Sequence, residues 1–255
     1  MKPIIAFIIA GIGFLGLTAE HDPIPDDPVI QGRMVYIAEG CINCHSQYAR
    51  PRSLDLEASG PSSNYQSIDG GPVLIGNRRQ GPDLSNIGNR RSDEWNRLHL
   101  IDPQSTSPGS RMPSYAYLFD EGYEEMGETL LLYLKSLASE DSEIWWNSVF
   151  SWKPHDTQTP EPRIGSKLFG QHCAQCHGTN GQGNGSLALQ FKTKPANLES
   201  GNFRFAPRTM EPLQRRTRIA QIIKYGQLAT SMPGHEYLTD QNVVDLIAFL
   251  DTLSQ

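Results

Sequence analysis

Cysteine is scarce in this chain of 255 residues: there are four, and none lies outside two short stretches. A zinc or thioredoxin-like site would need further ligands or a fold that the chain does not offer. Long hydrophobic runs are as sparse. One such run opens the chain, and the remainder, with 38% hydrophobic residues overall, has the composition of ordinary soluble domains. Positive charge is not in excess either, since the net charge is -6, and no nucleic-acid partner is expected. The densest glycine stretch, Gly178 to Gly185, lacks the Lys-Ser/Thr of a phosphate-binding loop and follows a cysteine motif rather than a strand, which assigns it to wrapping a cofactor edge. Histidines 21, 99, 155, 172 and 235 are scattered and build no catalytic constellation, although His172 and His235 flank motifs.

What the four cysteines do form is one device, twice: Cys41-Ile42-Asn43-Cys44-His45 and Cys173-Ala174-Gln175-Cys176-His177. This is the attachment signature of c-type haem. Two thiols three positions apart each bond a vinyl group of the macrocycle, and the adjacent histidine projects beneath the ring to the iron. Two covalent haem c groups are therefore expected, with His45 and His177 as iron ligands.

Each iron needs a sixth ligand. Met112 in Arg-Met-Pro-Ser-Tyr and Met232 in Ser-Met-Pro-Gly-His stand downstream of their motifs, each followed by a proline that stiffens the loop. Met34, Met126 and Met210 precede no proline and read as core filler. A His-Met pair saturates iron and raises its reduction potential. Such a centre passes electrons and leaves no position for substrate, so the chain reads as an electron-transfer protein, not an enzyme by itself.

The halves repeat one plan. Gly32 and Tyr36 precede Cys41 as Gly165 and Phe169 precede Cys173, placing glycine and aromatic one helical turn apart on an opening helix. Each half closes with an amphipathic helix, Tyr123 to Ser136 and Thr239 to Leu253, with Thr239 as N-cap. The expected fold is all-α: two tandem class I cytochrome c domains, residues 28–139 and 163–255, behind an N-terminal hydrophobic helix in residues 1–20. Residues 140–162 form a linker with prolines 154, 160 and 162, in which Trp145, Trp146 and Trp152 call for a packing partner. The first domain carries a formal charge of -3 and the second +4, opposite signs that favour docking of the halves or of different partners.

The apolar run Ile4 to Ala19 is sixteen residues long, just below the roughly 17 to 25 that span a bilayer core. It reads as a membrane anchor or a signal peptide, and the single lysine before it tips the reading to a retained anchor. Either way the positive end stays inside and both domains are exported, at a bacterial inner membrane on the periplasmic side, or free in the periplasm after cleavage.

Several elements of the first half together resemble a known family. Glu39-Gly40-Cys41-Ile42-Asn43-Cys44-His45-Ser46-Gln47, Arg50-Pro51, Gly81-Pro82-Asp83-Leu84, Arg91-Ser92-Asp93-Glu94-Trp95, His99-Leu100 and Met112-Pro113 are similar to the membrane-anchored mono-haem subunit of cbb3-type cytochrome c oxidases. The second half resembles the widespread class I cytochrome c domain. The resemblance implies a first domain seated on a haem-copper oxidase catalytic subunit and a second that receives electrons from an upstream donor, a cytochrome c or quinol-oxidising complex. It implies a propionate or partner contact for Arg50. The carbonyl of Pro82 is the candidate for fixing the ring of His45. The short anchor, Tyr48-Ala49 in place of a larger apolar pair, and the appended second haem domain depart from the family pattern. A dihaem peroxidase, a diffusing dihaem shuttle and the cytochrome subunit of a periplasmic dehydrogenase stand as alternatives.

Overall fold

The computed structural model describes residues 26–50, 72–138, 142–155, 157–227 and 230–254. The expected N-terminal hydrophobic helix lies outside the described residues, as do residues 21–25 and 139–141. Among the described residues the regular structure is helical, the only β pairing being isolated bridges such as Gly226 with Pro233. No described helix is long and apolar enough to cross a membrane.

In the first half, α1 (Pro28–Ala38) starts at Asp27, whose carboxylate accepts from the Val29 amide at 2.8 Å, with Pro28 at the first helical position. A 3-10 turn, Cys41–Asn43, follows directly. Next come α2 (Asp93–Ile101), capped by Ser92, and α3 (Glu124–Ser136). The connecting stretch forms α4 (Ser142–Ser151), and the second half contains α5 (Pro162–His172), α6 (Pro212–Tyr225) and α7 (Asp240–Leu253). Thr239 and Asn242 cap α7 reciprocally, each side chain accepting from the other's amide at 3.2 Å.

Both halves are closed by the same crossing of first helix on last. Gly32 of α1 lies against α3, and a Cβ placed there would sit 1.9 Å from the carbonyl oxygen of Thr129. Gly165 of α5 meets α7 in the same way, with the Asp245 carbonyl oxygen at 2.0 Å. One turn along, Tyr36 packs edge-on against Tyr133 with centroids 5.6 Å apart, and Phe169 packs on Phe249 at 5.3 Å. The sequence repeat of glycine plus aromatic is thus the footprint of a helix crossing. Because the opposing atoms are backbone and cannot swing away, Gly32→Ala and Gly165→Ala are each expected to cost about 3 kcal/mol. Gly170→Ala on the open face of α5, where a Cβ meets nothing, should instead gain up to about 1 kcal/mol. Denaturant titration of the haem-loaded chain reads all three, and equal effects would refute the crossing argument.

Two separate cores result, one around Tyr36, Leu118, Leu130 and Tyr133, the other around Phe169, Ile219, Val243 and Leu246. The connecting stretch is not merely extended. Its helix α4 buries Trp145 and Val149 against Tyr225 at the end of α6, and Trp152 meets the same tyrosine edge-on at 5.4 Å. Gln221 of α6 secures it, donating to the carbonyls of Phe150 and Trp152 at 2.8 and 2.9 Å. The tryptophans therefore belong to the second half's packing.

Between the halves lies a buried ion cluster. Arg91 forks onto Glu236, with Nη1 to Oε1 at 3.1 Å and Nη2 to Oε2 at 2.8 Å, and also donates to the Gly234 carbonyl at 2.9 Å. Arg90 reaches the same carboxylate at 3.3 Å and the Asp83 carbonyl at 2.7 Å. The side chains of Arg90, Arg91 and Glu236 are 3%, 9% and 8% exposed. The two arginines hold Glu236 down to about 2 despite its burial. Burial pulls Arg90 below its ordinary value while Glu236 draws it back, and a delocalised guanidinium stays charged through such a conflict.

Candidate haem sites

In the first half the 3-10 turn carries the motif out of α1. Amides of Cys44 and His45 both donate to the Cys41 carbonyl, at 3.1 and 2.9 Å, so the three chemically active residues are wound onto one turn. Cys41 is buried and packs in the same apolar cluster as Met112, Ile42 and Tyr115. Nδ1 of His45 stands 2.8 Å from the carbonyl oxygen of Pro82. A carbonyl can only accept, so Nδ1 carries the proton and Nε2 keeps its lone pair for a metal. Gly81 makes this possible by lying flat on the ring: a Cβ there would fall 2.2 Å from Cε1 of His45. The loop is tied on both sides, Gly81 donating to the Cys44 carbonyl at 3.1 Å and Leu84 to the Ser46 carbonyl at 2.7 Å. Asp83 braces it from behind, accepting from the amides of Ser85 and Tyr48. Arg50 is exposed at the end of this segment.

The second half repeats the arrangement around a cavity of about 570 Å³, lined by Cys173, Cys176, His177 and Met232 among others. The motif is again wound on one turn, the His177 amide donating to the Cys173 carbonyl at 2.8 Å. Nδ1 of His177 lies 3.0 Å from the carbonyl of Ala196, again leaving Nε2 as the free lone pair. The sequence reading supplied no counterpart to Pro82 here. A faint signal exists in the shared Asx-Leu that follows each carbonyl, Asp83-Leu84 and Asn197-Leu198. The glycine-dense stretch folds back over the motif, with amides of Gly183 and Gly185 donating to the carbonyls of His177 and Cys176. Met232 is fixed by its own amide to Thr230 Oγ1 at 3.1 Å, by its carbonyl to the Gln227 amide at 3.2 Å and by the Gly226–Pro233 bridge.

Two residues that sequence reasoning left aside also face this cavity. His172 and His235 are joined through the hydroxyl of Tyr237, at 3.2 and 3.1 Å. Burial and the neighbouring Arg91 push His235 down to about 4, so it is neutral at ordinary pH. None of the four cysteines is in a disulfide.

The donor sets fit haem c. Each half offers a thiol pair on one turn, an imidazole with its metal-facing nitrogen unprotonated and a thioether on a proline-stiffened loop, and the second half adds a cavity that is mostly apolar. Residues 27–135 match the family described as cytochrome c oxidase, mono-haem subunit/FixO, and residues 163–254 match cytochrome c. No curated protein matches the chain. A chain of the Kuenenia stuttgartiensis reducing HAO-like protein complex is similar at 18% identity, over 91% of this chain and 99% of its own, with a TM-score of 0.35. That likeness carries no argument. The two family matches together with the paired donor sets make this chain a haem c electron-transfer protein in which a module of the FixO family is followed by a cytochrome c module, with two covalent haem c groups in all.

Proposed function

We propose that the chain relays single electrons as a subunit of a cbb3-type haem-copper oxidase. Its second module takes electrons from an upstream cytochrome c or quinol-oxidising complex, and its first hands them to the catalytic subunit. The observation that carries this is the order of modules: an oxidase-subunit family match over residues 27–135, joined to a second cytochrome c module that such a subunit would use as an input. On this reading the modules are tandem class I cytochrome c domains, held on the periplasmic side of the inner membrane by residues 1–20.

Haem supplies a reversible one-electron couple when bound. The chain's residues do the rest. Cys41, Cys44, Cys173 and Cys176 would hold the ring covalently. His45 and His177 present Nε2 because the carbonyls of Pro82 and Ala196 keep the proton on Nδ1. Met112 and Met232 would supply the second protein ligand to each iron, from loops that the following proline stiffens. An iron held by both ligands would have no open coordination position for a substrate.

The test is purification of the chain from native membranes through a C-terminal tag. A haem-copper catalytic subunit is expected to accompany it, and both haems should be low spin and insensitive to cyanide. Recovery without any oxidase subunit would refute the proposed placement. A rapid cyanide or peroxide response in the untreated chain would instead indicate a dihaem peroxidase.

A further inference from the structure

The second haem cavity is not built by the second half alone. Trp95 and Thr106, both from the first half, form part of its wall. Trp95 lies in the first turn of α2 and stacks on His99 one turn later, with centroids 4.6 Å apart and planes inclined by 12°. Nδ1 of His99 is held by Thr106 Oγ1 at 2.7 Å, so both wall residues support the same imidazole. The far end of α2 belongs to the other haem site. The Leu100 carbonyl accepts from the Tyr115 amide at 2.8 Å and the Ile101 carbonyl from Ser114 Oγ at 2.6 Å, which fastens α2 to the loop carrying Met112. Leu100 is buried in the cluster that holds Cys41 and Met112. One short helix thus touches both sites.

Its position relative to the second half is fixed immediately upstream. Arg91 grips Glu236 and Gly234, on the loop that begins at Met232, and its guanidinium covers the Trp95 ring at 5.1 Å. The ion pair and the indole form one packed unit.

We infer that Trp95, with His99 stacked behind it, is the electron bridge between the two haem sites, and that the Arg91–Glu236 pair holds it in register. This rests on the relay reading above and adds the path. In the step, one haem loses one electron as the other gains one; no bond forms or breaks, no proton moves, and the indole remains closed-shell throughout. A stacked aromatic pair keeps the path in continuous van der Waals contact, and electronic coupling decays far faster across an unfilled gap than through packed atoms. Trp95 and His99 are positioning residues in this scheme, since they act between the centres and bind neither substrate nor iron.

The test uses the full-length, haem-loaded chain. Flash photoreduction gives the rate of haem-to-haem exchange, and spectroelectrochemical titration gives both midpoint potentials, so a change in rate can be separated from a change in driving force. Trp95→Leu is expected to slow exchange measurably, with Trp95→Phe recovering most of the loss. Because the cavity wall is altered, the potential of the second haem should shift while that of the first stays put. Thr106→Ala, which frees His99 without touching the indole, is expected to give a smaller slowing and serves if Trp95→Leu loses haem. Exchange at the unaltered rate in both Trp95→Leu and Thr106→Ala overturns the bridge while leaving the relay intact. Failure of the unaltered chain to exchange electrons between its haems at all overturns the relay itself.

Discussion

Met232→Ala is expected to convert one of the two haems, and only one, from low to high spin and to lower its reduction potential by on the order of 100 mV or more, a modest share of the ~0.8 V range that axial ligation spans. The change should come without global unfolding. Met232 is partly buried at the cavity wall, and its loop is pinned by backbone groups that the substitution leaves in place: the Thr230 hydroxyl to its amide, its carbonyl to Gln227, and the Gly226–Pro233 bridge. Loss of the thioether leaves an apolar gap beside the ring, into which water or added cyanide can enter. Magnetic resonance of the oxidised protein and cyanide titration give the readout. The unaltered chain should ignore cyanide, whereas the variant should bind one equivalent. A variant that stays fully low spin with an unchanged potential would show that Met232 is not the sixth ligand, and the adjacent cavity-lining His235 would then be the first group to examine.

Glu236→Ala is expected to destabilise the contact between the halves by about 3–5 kcal/mol, because it strands Arg90 and Arg91 without a counter-charge in a site that excludes water. Melting should then change from one transition to two, as each half has its own core and no longer reports on the other. Acid should act on the unaltered protein in the same way. Glu236 ordinarily titrates near 4.5 and is held here at about 2, so it binds a proton more readily when the contact is broken. The stabilisation is therefore complete above about pH 4.5 and is lost progressively as the pH falls toward 2. Scanning calorimetry between pH 6 and 2.5 would follow it, and a Glu236→Gln chain should have lost that acid dependence already. Identical calorimetric profiles for the two chains would refute the role of this carboxylate.

What could be read in the sequence was local. Each CxxCH motif fits on a single turn, the glycine and aromatic of each opening helix are four residues apart, and the Thr239 cap needs only Asn242 to complete it. Chemistry of that range leaves a mark in neighbouring positions. The Ala196 carbonyl does not, because any residue has a backbone oxygen and only the fold decides which one meets His177. Trp145 and Trp152 stood out as residues needing cover, but Tyr225, which supplies it, lies more than seventy positions downstream. The ion cluster was the least visible. Net charges of opposite sign suggested how the halves attract, yet the buried contact runs against them: the acidic half supplies two arginines and the basic half the glutamate. Specific pairing in a dry interface is set by which atoms meet, and averages over a surface carry little of that information.

The crossing of first helix on last has an evolutionary consequence. Pro28 lies one turn before Gly32 and Ser136 less than one turn after Tyr133, so the chain enters and leaves the first unit beside the same junction; Pro162 and Leu253 bracket Gly165 and Phe249 in the second. A gene duplication or fusion can lengthen such a polypeptide at either tail without threading new segments through an existing core. Circular permutants that join those tails by a short loop and open elsewhere should still take up haem. Chains that acquire extra redox units in series are, on this geometry, among the easiest architectures for a genome to try.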